Sequence, residues 1–393
     1  MPTIRIEARA AIARHAPDAP AARPRLYVDR VSVWAGEILS RLGLERVDSP
    51  DRADLLWIRR GYRHWYLKLR EHQALNHIPF EGALTRKGAL TANLHAHGHS
   101  DPQAAFSHRD FYQPTYRLGD PAERAAFVAQ LPEKDSPDNV WILKPSTLSQ
   151  GIGIRIGWQL DWLREALRRN APVEFMYEGR PAEYIAQRYI SNVLLLNGRK
   201  SELRIYWLIA CLDPLLVLMY REGTARLTSR EYKLGDFDDP LIHITNIYQQ
   251  KKHGGVQADT ELKWDFPRLQ DYLAREKSAR PDYLAAELVP RLKQILAYVV
   301  RAGESKLRQT PPSGHFFGLL GADVILDDRL TPWLTEIQTG PGLSCDDPVK
   351  QRVIPAMLQG AVNIVLDVLA RKKSGRSMIG LAPAPGYEWV IGP

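Results

Sequence analysis

The chain has 393 residues, of which 45% are hydrophobic and 25% are charged. This composition is typical of a folded protein with two or three domains, and it excludes a fibrous or wholly disordered chain. No uninterrupted apolar run approaches the ~20 residues of a membrane-spanning helix, so no membrane partner is expected. The two cysteines, Cys211 and Cys345, are too few for a disulfide framework or a structural zinc site, which favours a reducing, cytoplasmic location.

The net charge is +8, from 53 Lys and Arg against 45 Asp and Glu. An excess of basic residues favours an anionic partner, namely nucleotide phosphates, an acidic peptide tail or nucleic acid. Aromatic residues do not alternate with basic residues as they do on platforms for single-stranded nucleic acid. Nucleic acid is therefore the least supported of the three partners.

The N-terminal part of the chain has the pattern of an α/β domain. Residues 1–23 lack the apolar core of a secretory signal and are expected to form a partly ordered leader. Residues 24–95 are expected to form the domain itself. After Pro24 the pattern predicts a strand and then a helix, followed by a strand at 53–59 and a helix that begins within 85–93.

Residues 96–190 are expected to form a central domain. A Pro- and charge-rich stretch, 118–138, surrounds an Ala-rich helix at 123–130 and is typical of a connection between domains. The strands predicted beyond it lie at 140–144, 152–156 and 183–190, and a helix is predicted at 158–169.

Residues 191–372 are expected to form a C-terminal domain, and residues 373–393 a tail without a strong pattern. The predicted strands of this domain lie at 201–211, 215–222, 316–326 and within 330–344, and the predicted long helices lie at 283–300 and 349–370. No internal repeat of solenoid length occurs.

Three oxygen donors lie on two of these strands. Glu336 and Gln338 lie two residues apart on a strand and so share one face, and Asp323 is the only acid in the apolar strand upstream. Mg²⁺ usually takes one or two protein carboxylates together with water and nucleotide phosphates. The cluster therefore suggests a nucleotide enzyme, and the alternative is that Asp323 and Glu336 cap strand ends near solvent.

Lys144 ends an apolar strand and precedes a loop of small residues, 146–153. A lysine at this position can reach a phosphate while the loop brings backbone N–H groups close to it. The order of residues is not that of a Walker A motif. An ordinary surface turn is the alternative.

A strand face carries Lys200, Glu202 and Arg204, and Arg226 follows on the next strand. Guanidinium groups bind carboxylate and phosphate in bidentate fashion, so this pair of arginines suits a negatively charged substrate or an acyl-phosphate. A salt bridge between Arg204 and Glu222 across a hairpin is the structural alternative.

Residues 243–246, His-Ile-Thr-Asn, place polar side chains in an apolar context. A single histidine is more often a structural group than a catalyst. The sequence contains no Ser-His-Asp order, H-E-x-x-H or C-x-x-C motif, which excludes the hydrolase and zinc chemistry that these motifs carry.

Many of these segments occur in the order of a known set of motifs. They read NHIP at 76–79, LTRK at 84–87, WILKP at 141–145, SQGIGI at 149–154, QRYI at 187–190, GRKSELRIY at 198–206, YREGTAR at 220–226, HITN at 243–246, LLGADVIL at 319–326 and PWLTEIQTGPGLS at 332–344. Each fragment is weak alone. The ordered set resembles the tubulin tyrosine ligase-like family of the ATP-grasp superfamily over residues 76–370.

This resemblance implies an α/β ATP-grasp fold with an N-terminal α/β domain, in which ATP lies between the central and C-terminal domains. It implies an ATP-dependent carboxylate–amine ligase that forms an amide bond through an acyl-phosphate. The implied substrates are a free amino acid of the Glu, Gly or Tyr type and an acidic peptide or protein acceptor such as a tubulin-like tail. The implied cofactors are ATP and Mg²⁺.

The resemblance also implies roles for individual residues. Those for the nucleotide are Lys87 and Lys144 at the phosphates, Ser149, Gln150, Gly151 and Gly153 in a flexible lid, Gln187, Arg188, Tyr189 and Ile190 in the adenine hinge, and Asn246 beside the nucleotide. Those for metal and catalysis are Asp323, Glu336 and Gln338 as Mg²⁺ ligands, and Lys200, Arg204 and Arg226 at the carboxylate and the transition state. Phosphoryl transfer depends on positioning and charge neutralisation, so a missing catalytic triad is expected.

Three positions depart from the family pattern. Gln338 replaces the usual Asn, residues 339–342 read TGPG where the family has an Asn-x-x-Pro-Ser loop, and Gln150 replaces a frequent Arg. Two alternatives to a protein-modifying ligase stay open, and Gln338 is the only hint of the second. One is an ATP-grasp ligase that makes a small peptide-like metabolite, and the other is a nucleotide-binding pseudoenzyme.

Overall fold

The fold is described from a computed structural model, for residues 23–29, 38–39, 41–101, 103–132, 136–158, 160–169, 171, 173–255, 262–309 and 314–393. These residues form three sheets with flanking helices. The predicted α/β fold class is confirmed.

The first sheet is parallel and begins the chain. Its N-terminal strands are β1 (Arg25–Val28), β2 (Glu45–Arg46), β3 (Leu55–Trp57) and β4 (Ala74–Leu75), and its helices are α1 (Arg63–Lys68), α2 (Gly82–Thr85) and α3 (Lys87–Ser100). The strand predicted at 53–59 and the helix predicted within 85–93 are both present. The helix predicted after Pro24 lies largely outside the described residues.

The second sheet is antiparallel. Its elements are β5 (Thr115–Arg117), α4 (Pro121–Gln130), β6 (Trp141–Pro145), β7 (Arg155–Gly157), α5 (Asp161–Arg168), β8 (Glu174–Tyr177) and β9 (Arg180–Arg188), in the strand order β5-β9-β6-β7 with β8 paired to β9. The strand predicted from residue 152 was wrong at its start. Gly151 and Gly153 both have φ of +71°, so the turn continues through Gly153 and the strand begins only at Arg155.

The third sheet forms the centre of the C-terminal half. Its strands are β10 (Leu195–Leu196), β11 (Arg199–Leu212), β12 (Leu215–Leu227), β13 (Lys263–Asp265), β15 (Gly318–Leu326), β16 (Pro332–Thr339) and β17 (Tyr387–Ile391), and β14 (His315–Phe316) joins the first sheet beside β4. The helices are α6 (Pro240–His243), α7 (Ile247–Lys252), α8 (Phe266–Glu276), α9 (Val289–Leu307, after a π-helical turn at Leu284–Leu288) and α10 (Pro348–Lys373).

The core follows from the period-two alternation of β11. Ile205 and Trp207 belong to the apolar cluster that includes α9, whereas Tyr206 and Leu208 belong to the cluster that includes α10. Both faces of this strand are therefore buried, and at its N-terminal end polar side chains replace the apolar ones. The predicted strands at 201–211 and 215–222 are both present and extend further, to Leu212 and Leu227.

The stretch 373–393, expected to be a tail without a strong pattern, contains a further strand. Residues 387–391 form β17, which pairs antiparallel with β12, and the Tyr387 hydroxyl donates a hydrogen bond to the Met357 carbonyl at 2.9 Å. A five-residue strand gives too short a period for reliable detection, and burial of Tyr387 against α10 supplies its stability.

Helix α10 is long and apolar enough to cross a membrane by length and composition. In the most apolar stretch of this helix, 61% is buried inside the fold. The buried residues of the helix include Ile354, Met357 and Leu358. In this structure α10 packs as a core helix on the central sheet.

Candidate active site

Two adjoining cavities lie between the start of α3, the β6 end of the second sheet and the polar end of the third sheet. The larger has a volume of about 530 Å³ and is lined by the start of α3, the loop after β6, and strands β11, β12 and β16. The smaller has a volume of about 90 Å³ and continues from it past Lys87 and Glu336. Predicted site residues line one or both, namely Lys87, Lys144, Ser149, Gln150, Gly151, Lys200, Arg204, Arg226, Asn246, Asp323, Glu336 and Gln338.

The predicted metal ligands lie together on neighbouring strands. Asp323 of β15 is directly opposite Glu336 of β16, and Gln338 is two residues further along β16. Asp323 is 2% exposed and lies in mid-strand, so the alternative of a solvent-facing cap at a strand end was wrong for this residue. The Gln338 amide nitrogen donates hydrogen bonds to Asp323 at 3.0 Å and to the Glu336 carboxylate.

This donor set fits Mg²⁺ under one condition. In the described part of the chain no three His, Cys, Asp or Glu side chains form a metal-binding group, so the third protein ligand would be the Gln338 amide. The Gln338 oxygen accepts from Arg204 at 3.0 Å and its nitrogen faces both acids. The amide must therefore turn over before it can offer oxygen to a cation.

Two arginines neutralise Asp323. The Arg204 Nε donates to Asp323 Oδ1 at 2.6 Å, and Arg226 Nη2 lies 2.8 Å from Oδ2. Burial alone would raise the pKa of Asp323, but the two guanidinium groups outweigh it and hold the pKa well below its usual range. The alternative pair of Arg204 with Glu222 was wrong, because Glu222 pairs with Arg352 at 2.5 Å.

Two of the three lysines predicted at the site, Lys144 and Lys200, donate hydrogen bonds to neutral oxygens rather than to carboxylates. Burial lowers the pKa of Lys144 to about 8 and that of Lys200 to about 7. Lys144 Nζ donates to Gln187 Oε1 at 2.8 Å, a neutral acceptor. Lys87 Nζ lies 3.1 Å from Glu336 Oε2 and donates to the Leu148 carbonyl at 2.7 Å.

The cavities therefore hold a surplus of buried positive charge. The buried cations that line them are Lys87, Lys144, Lys200, Lys263, Arg204 and Arg226, and the carboxylates paired with or lying among these cations are Glu202, Asp323, Glu336 and Asp347. Lys144 and Lys200 bond to neutral oxygens, so when both are protonated two positive charges have no carboxylate to balance them. The Arg226 Nε is also buried without a hydrogen-bond partner in the described structure. Uncompensated buried charge is costly, so this arrangement suits a site that takes a multivalent anion.

Hydrogen bonds hold the predicted lid, 149–153, at two points, and a third holds Leu148 just before it. The Leu148 carbonyl accepts from Lys87, the Gln150 carbonyl accepts from Gln249 Nε2 at 2.7 Å, and the Gly153 carbonyl accepts from the Tyr184 hydroxyl at 2.8 Å. Ser149 and Gln150 face the larger cavity, while Gly153 lies on its outer side against Phe175.

The predicted adenine hinge, residues 187–190, does not belong to the lining of either cavity. Gln187 holds Lys144, but the Arg188 guanidinium lies on the Trp141 ring, 5.6 Å from its centroid, and Ile190 packs in a separate apolar cluster. The Tyr189 side chain is buried beside Lys200. Any contact of residues 188–190 with a nucleotide would have to come from their backbone, which stays a prediction.

A hydrogen-bonded chain supports Lys200. Lys200 Nζ donates to the Tyr189 hydroxyl at 3.0 Å, which lies 2.9 Å from His243 Nδ1. His243 Nε2 is 2.8 Å from the Asp236 carbonyl, which can only accept. Burial lowers the pKa of His243 to about 4, so the ring is neutral, with its proton on Nε2 and Nδ1 accepting from Tyr189.

Sequence reasoning missed two groups at the site. Glu202 accepts from Arg226 at 2.7 Å, from Thr245 at 2.6 Å and from Thr335 at 2.8 Å, which links β11, β12 and β16. The period of two along the strand places Glu202 on the same face as Lys200 and Arg204, but the sequence does not show which residues bond to it.

The second missed group is a buried ion pair at the edge of the larger cavity. Lys263 Nζ of β13 lies 2.6 Å from Asp347 Oδ2, and Asp347 is the N-cap of α10. No spacing in the sequence connects residues so far apart. Asn246, predicted beside the nucleotide, lines both cavities and also caps α7 by accepting from Tyr248 N at 2.9 Å.

Comparison with known proteins identifies the family. The model of the tubulin-tyrosine ligase family matches residues 67–374. The chain is 27% identical to the probable tubulin polyglutamylase TTLL9 of Rattus norvegicus over 372 residues, covering 86% of this chain and 77% of that protein. It is 32% identical over 295 residues to the protein polyglycylase TTLL10 of Macaca fascicularis, covering 72% of this chain and 46% of that protein.

A protein named inactive polyglycylase TTLL10, from Homo sapiens, is 30% identical over 295 residues, covering 72% of this chain and 42% of that protein. The family match spans most of the chain and agrees with the order of motifs in the sequence. The chain belongs to the tubulin-tyrosine ligase family and is an ATP-dependent amino-acid ligase.

Proposed function

We propose that this ligase uses Mg·ATP to join glutamate to a carboxylate of an acidic protein tail. The observation that carries the proposal is that two buried lysines, Lys144 and Lys200, bond to neutral oxygens close to the Asp323 and Glu336 pair. A triphosphate supplies the missing negative charge, and a cation between the acids and the phosphates would use the two carboxylates. The names of similar polyglutamylases support glutamate as the donor. Glycine is the second candidate, because the polyglycylase is the more identical relative at 32%.

The residues divide into a nucleotide side and a reaction side. On the nucleotide side, Lys87 and Lys144 would hold phosphates and the 149–153 lid would cover them. The smaller cavity, whose lining includes Ile142, Ile154 and Ile325, suits an adenine ring. Because its volume is only about 90 Å³, the lid has to open before a nucleotide enters.

On the reaction side, Asp323, Glu336 and Gln338 would hold Mg²⁺, which when bound neutralises and orients the phosphates. Arg204 and Arg226 would bind the carboxylate and the transferring phosphoryl group through their guanidinium forks. Lys200 would add charge from the smaller cavity, in the position that Tyr189 gives it. An acceptor carboxylate oxygen displaces ADP from ATP, and the donor amine then displaces phosphate from the acyl-phosphate. The chain contributes binding, orientation and exclusion of water.

The test is ligation of ¹⁵N-labelled glutamate or glycine to a glutamate-rich peptide, read by mass spectrometry of the peptide with Mg·ATP present. We expect a mass increase of one donor residue in the wild type and none in Glu336→Gln, which keeps the side-chain shape. Products found only on free amino acids would instead identify a small-metabolite ligase. If the protein neither binds nucleotide nor forms product, the proposal is overturned altogether. This outcome has to be tested because one similar protein is named inactive.

A further inference from the structure

Phe80 has an unusual backbone conformation for its residue type. Its φ is +62°, in the left-handed region that glycine and asparagine tolerate and bulky residues avoid. The ring gains little from burial in return, since 54% of the residue is exposed. Strain of this kind persists where the surroundings impose it and is concentrated at binding sites.

The surroundings hold Phe80 firmly. Glu81 accepts from Ile78 N at 3.0 Å and contacts His77 Nδ1 at 2.7 Å, which fixes the turn on both sides of the aromatic ring. The Phe80 carbonyl accepts from Ala83 N at 2.9 Å as α2 begins. The exposed ring is therefore presented by a rigid turn.

Phe80 forms one wall of a groove with a volume of about 600 Å³. Its lining includes three alanines, Ala83, Ala89 and Ala92, and two basic residues, Arg86 and Lys306. We call this surface the Phe80 groove. It is continuous with the larger active-site cavity, because Thr85, Arg86 and Thr339 line both.

The charges of the Phe80 groove select an acidic occupant. Arg86 and Lys306 are exposed, and neither forms an ion pair with any other described residue. The one acid of the lining, Glu81, is occupied by His77 and Ile78.

We propose that the Phe80 groove binds the acceptor segment next to the carboxylate that is modified. The segment places one apolar side chain against Phe80 and the three alanines of the lining, and places carboxylates at Arg86 and Lys306. This inference rests on the proposed function, because it requires a peptide acceptor. It adds that the acceptor is recognised by an apolar residue within its acidic run.

The test uses Phe80→Gly with a set of glutamate-rich peptides that carry one leucine at successive positions. Glycine adopts φ of +62° without strain, so the Tm should stay equal or rise. In the wild type, one leucine position should improve kcat/KM about tenfold, the size expected for one well-packed aromatic contact. That advantage should vanish in Phe80→Gly, while the KM for ATP stays unchanged.

Phe80→Asn is the second variant, since asparagine also tolerates this φ but offers no apolar ring. The matched control is Ile379→Gly, which removes an apolar residue that is 80% exposed in a turn outside the lining. A leucine advantage retained in both Phe80 variants, or no leucine preference in the wild type, would overturn the groove assignment and leave the ligase proposal intact. If the wild type modifies none of the peptides with glutamate or glycine, the proposed function fails and this inference fails with it.

Discussion

The two cavities of the active site hold their positive charge in different ways. In the larger cavity Arg204 and Arg226 are paired with Asp323, so their charge is already balanced within the fold. In the smaller cavity Lys144 and Lys200 meet mainly neutral oxygens, and burial lowers the pKa of each. The arginines are therefore part of the folded structure's own stability, whereas the lysines are held ready for an anion from outside.

The largest expected effect comes from removing the carboxylate that pairs with the two arginines of the larger cavity. Asp323→Ala leaves Arg204 buried without a carboxylate and leaves Arg226 with Glu202 alone, which should lower the free energy of unfolding by about 3–5 kcal/mol. Chemical denaturation measures this directly. Glu336→Gln is the control and should cost less than half as much, because Glu336 is more exposed and, within the described residues, its ion pair is with Lys87, beside a hydrogen bond from the neutral Gln338 amide. Equal losses in the two variants would contradict the distinction.

The next contrast separates chemistry from nucleotide binding. Arg204→Ala should lower the ligation rate about 10³-fold while ATP still binds, because the guanidinium acts on the transferring group. Lys144→Ala should instead raise the Kd for Mg·ATP about 100-fold. Calorimetry and single-turnover ligation measure the two quantities. If Arg204→Ala also abolishes ATP binding, its role has been assigned wrongly.

The lowered lysine pKa values predict opposite effects of pH on folding and on binding. The unfolded chain keeps both lysines protonated up to their ordinary pKa of 10.5, whereas the folded protein releases these protons near pH 7 and 8. The unfolded state thus binds more protons above pH 7, so the free energy of unfolding of the protein alone should rise with pH up to about 10.

ATP needs both lysines charged, so its affinity should fall as the pH rises through 7 and 8. Calorimetry at pH 8 in buffers of different ionisation enthalpy should show uptake of about one proton per nucleotide. Lys200→Met should reduce that uptake. A binding reaction without proton uptake would show that the lysines are already charged.

The smallest effect concerns the support of Lys200. Tyr189→Phe removes the hydroxyl that accepts from Lys200, so we expect a fall of about threefold in kcat/KM and a pH profile shifted to lower pH. Tyr272→Phe is a matched control, because its hydroxyl donates to the Leu195 carbonyl outside the cavities. A lower kcat/KM with an unshifted pH profile would indicate a merely structural role.

The sequence predicted the strands of the site well, because their physics is local. The period of two along residues 199–206 and the lone acid of β15 were enough to place Lys200, Arg204 and Asp323 on strand faces. The pairing of Asp323 with Arg204 and Arg226 depends on strand order and register, which no short window contains. The same limit hid the pair of Lys263 with Asp347.

Conformation at single residues was the other limit. A motif locates Gln338 and the hinge, but only the fold shows that the Gln338 amide turns its nitrogen to the acids. Likewise, the motif places Arg188 in the hinge, whereas packing moves its side chain onto Trp141. Long side chains have several rotamers, and tertiary neighbours choose among them.

The measurement that tests the central claim most directly is the thermal stabilisation of the wild type and Glu336→Ala by ATP, with and without Mg²⁺. We expect ATP to raise the Tm of the wild type further when Mg²⁺ is present, and we expect that Mg²⁺-dependent increment to disappear in Glu336→Ala. The variant should keep a similar Tm without ligand. An undiminished Mg²⁺-dependent increment in Glu336→Ala would contradict the metal site and the reading of the buried charge built on it.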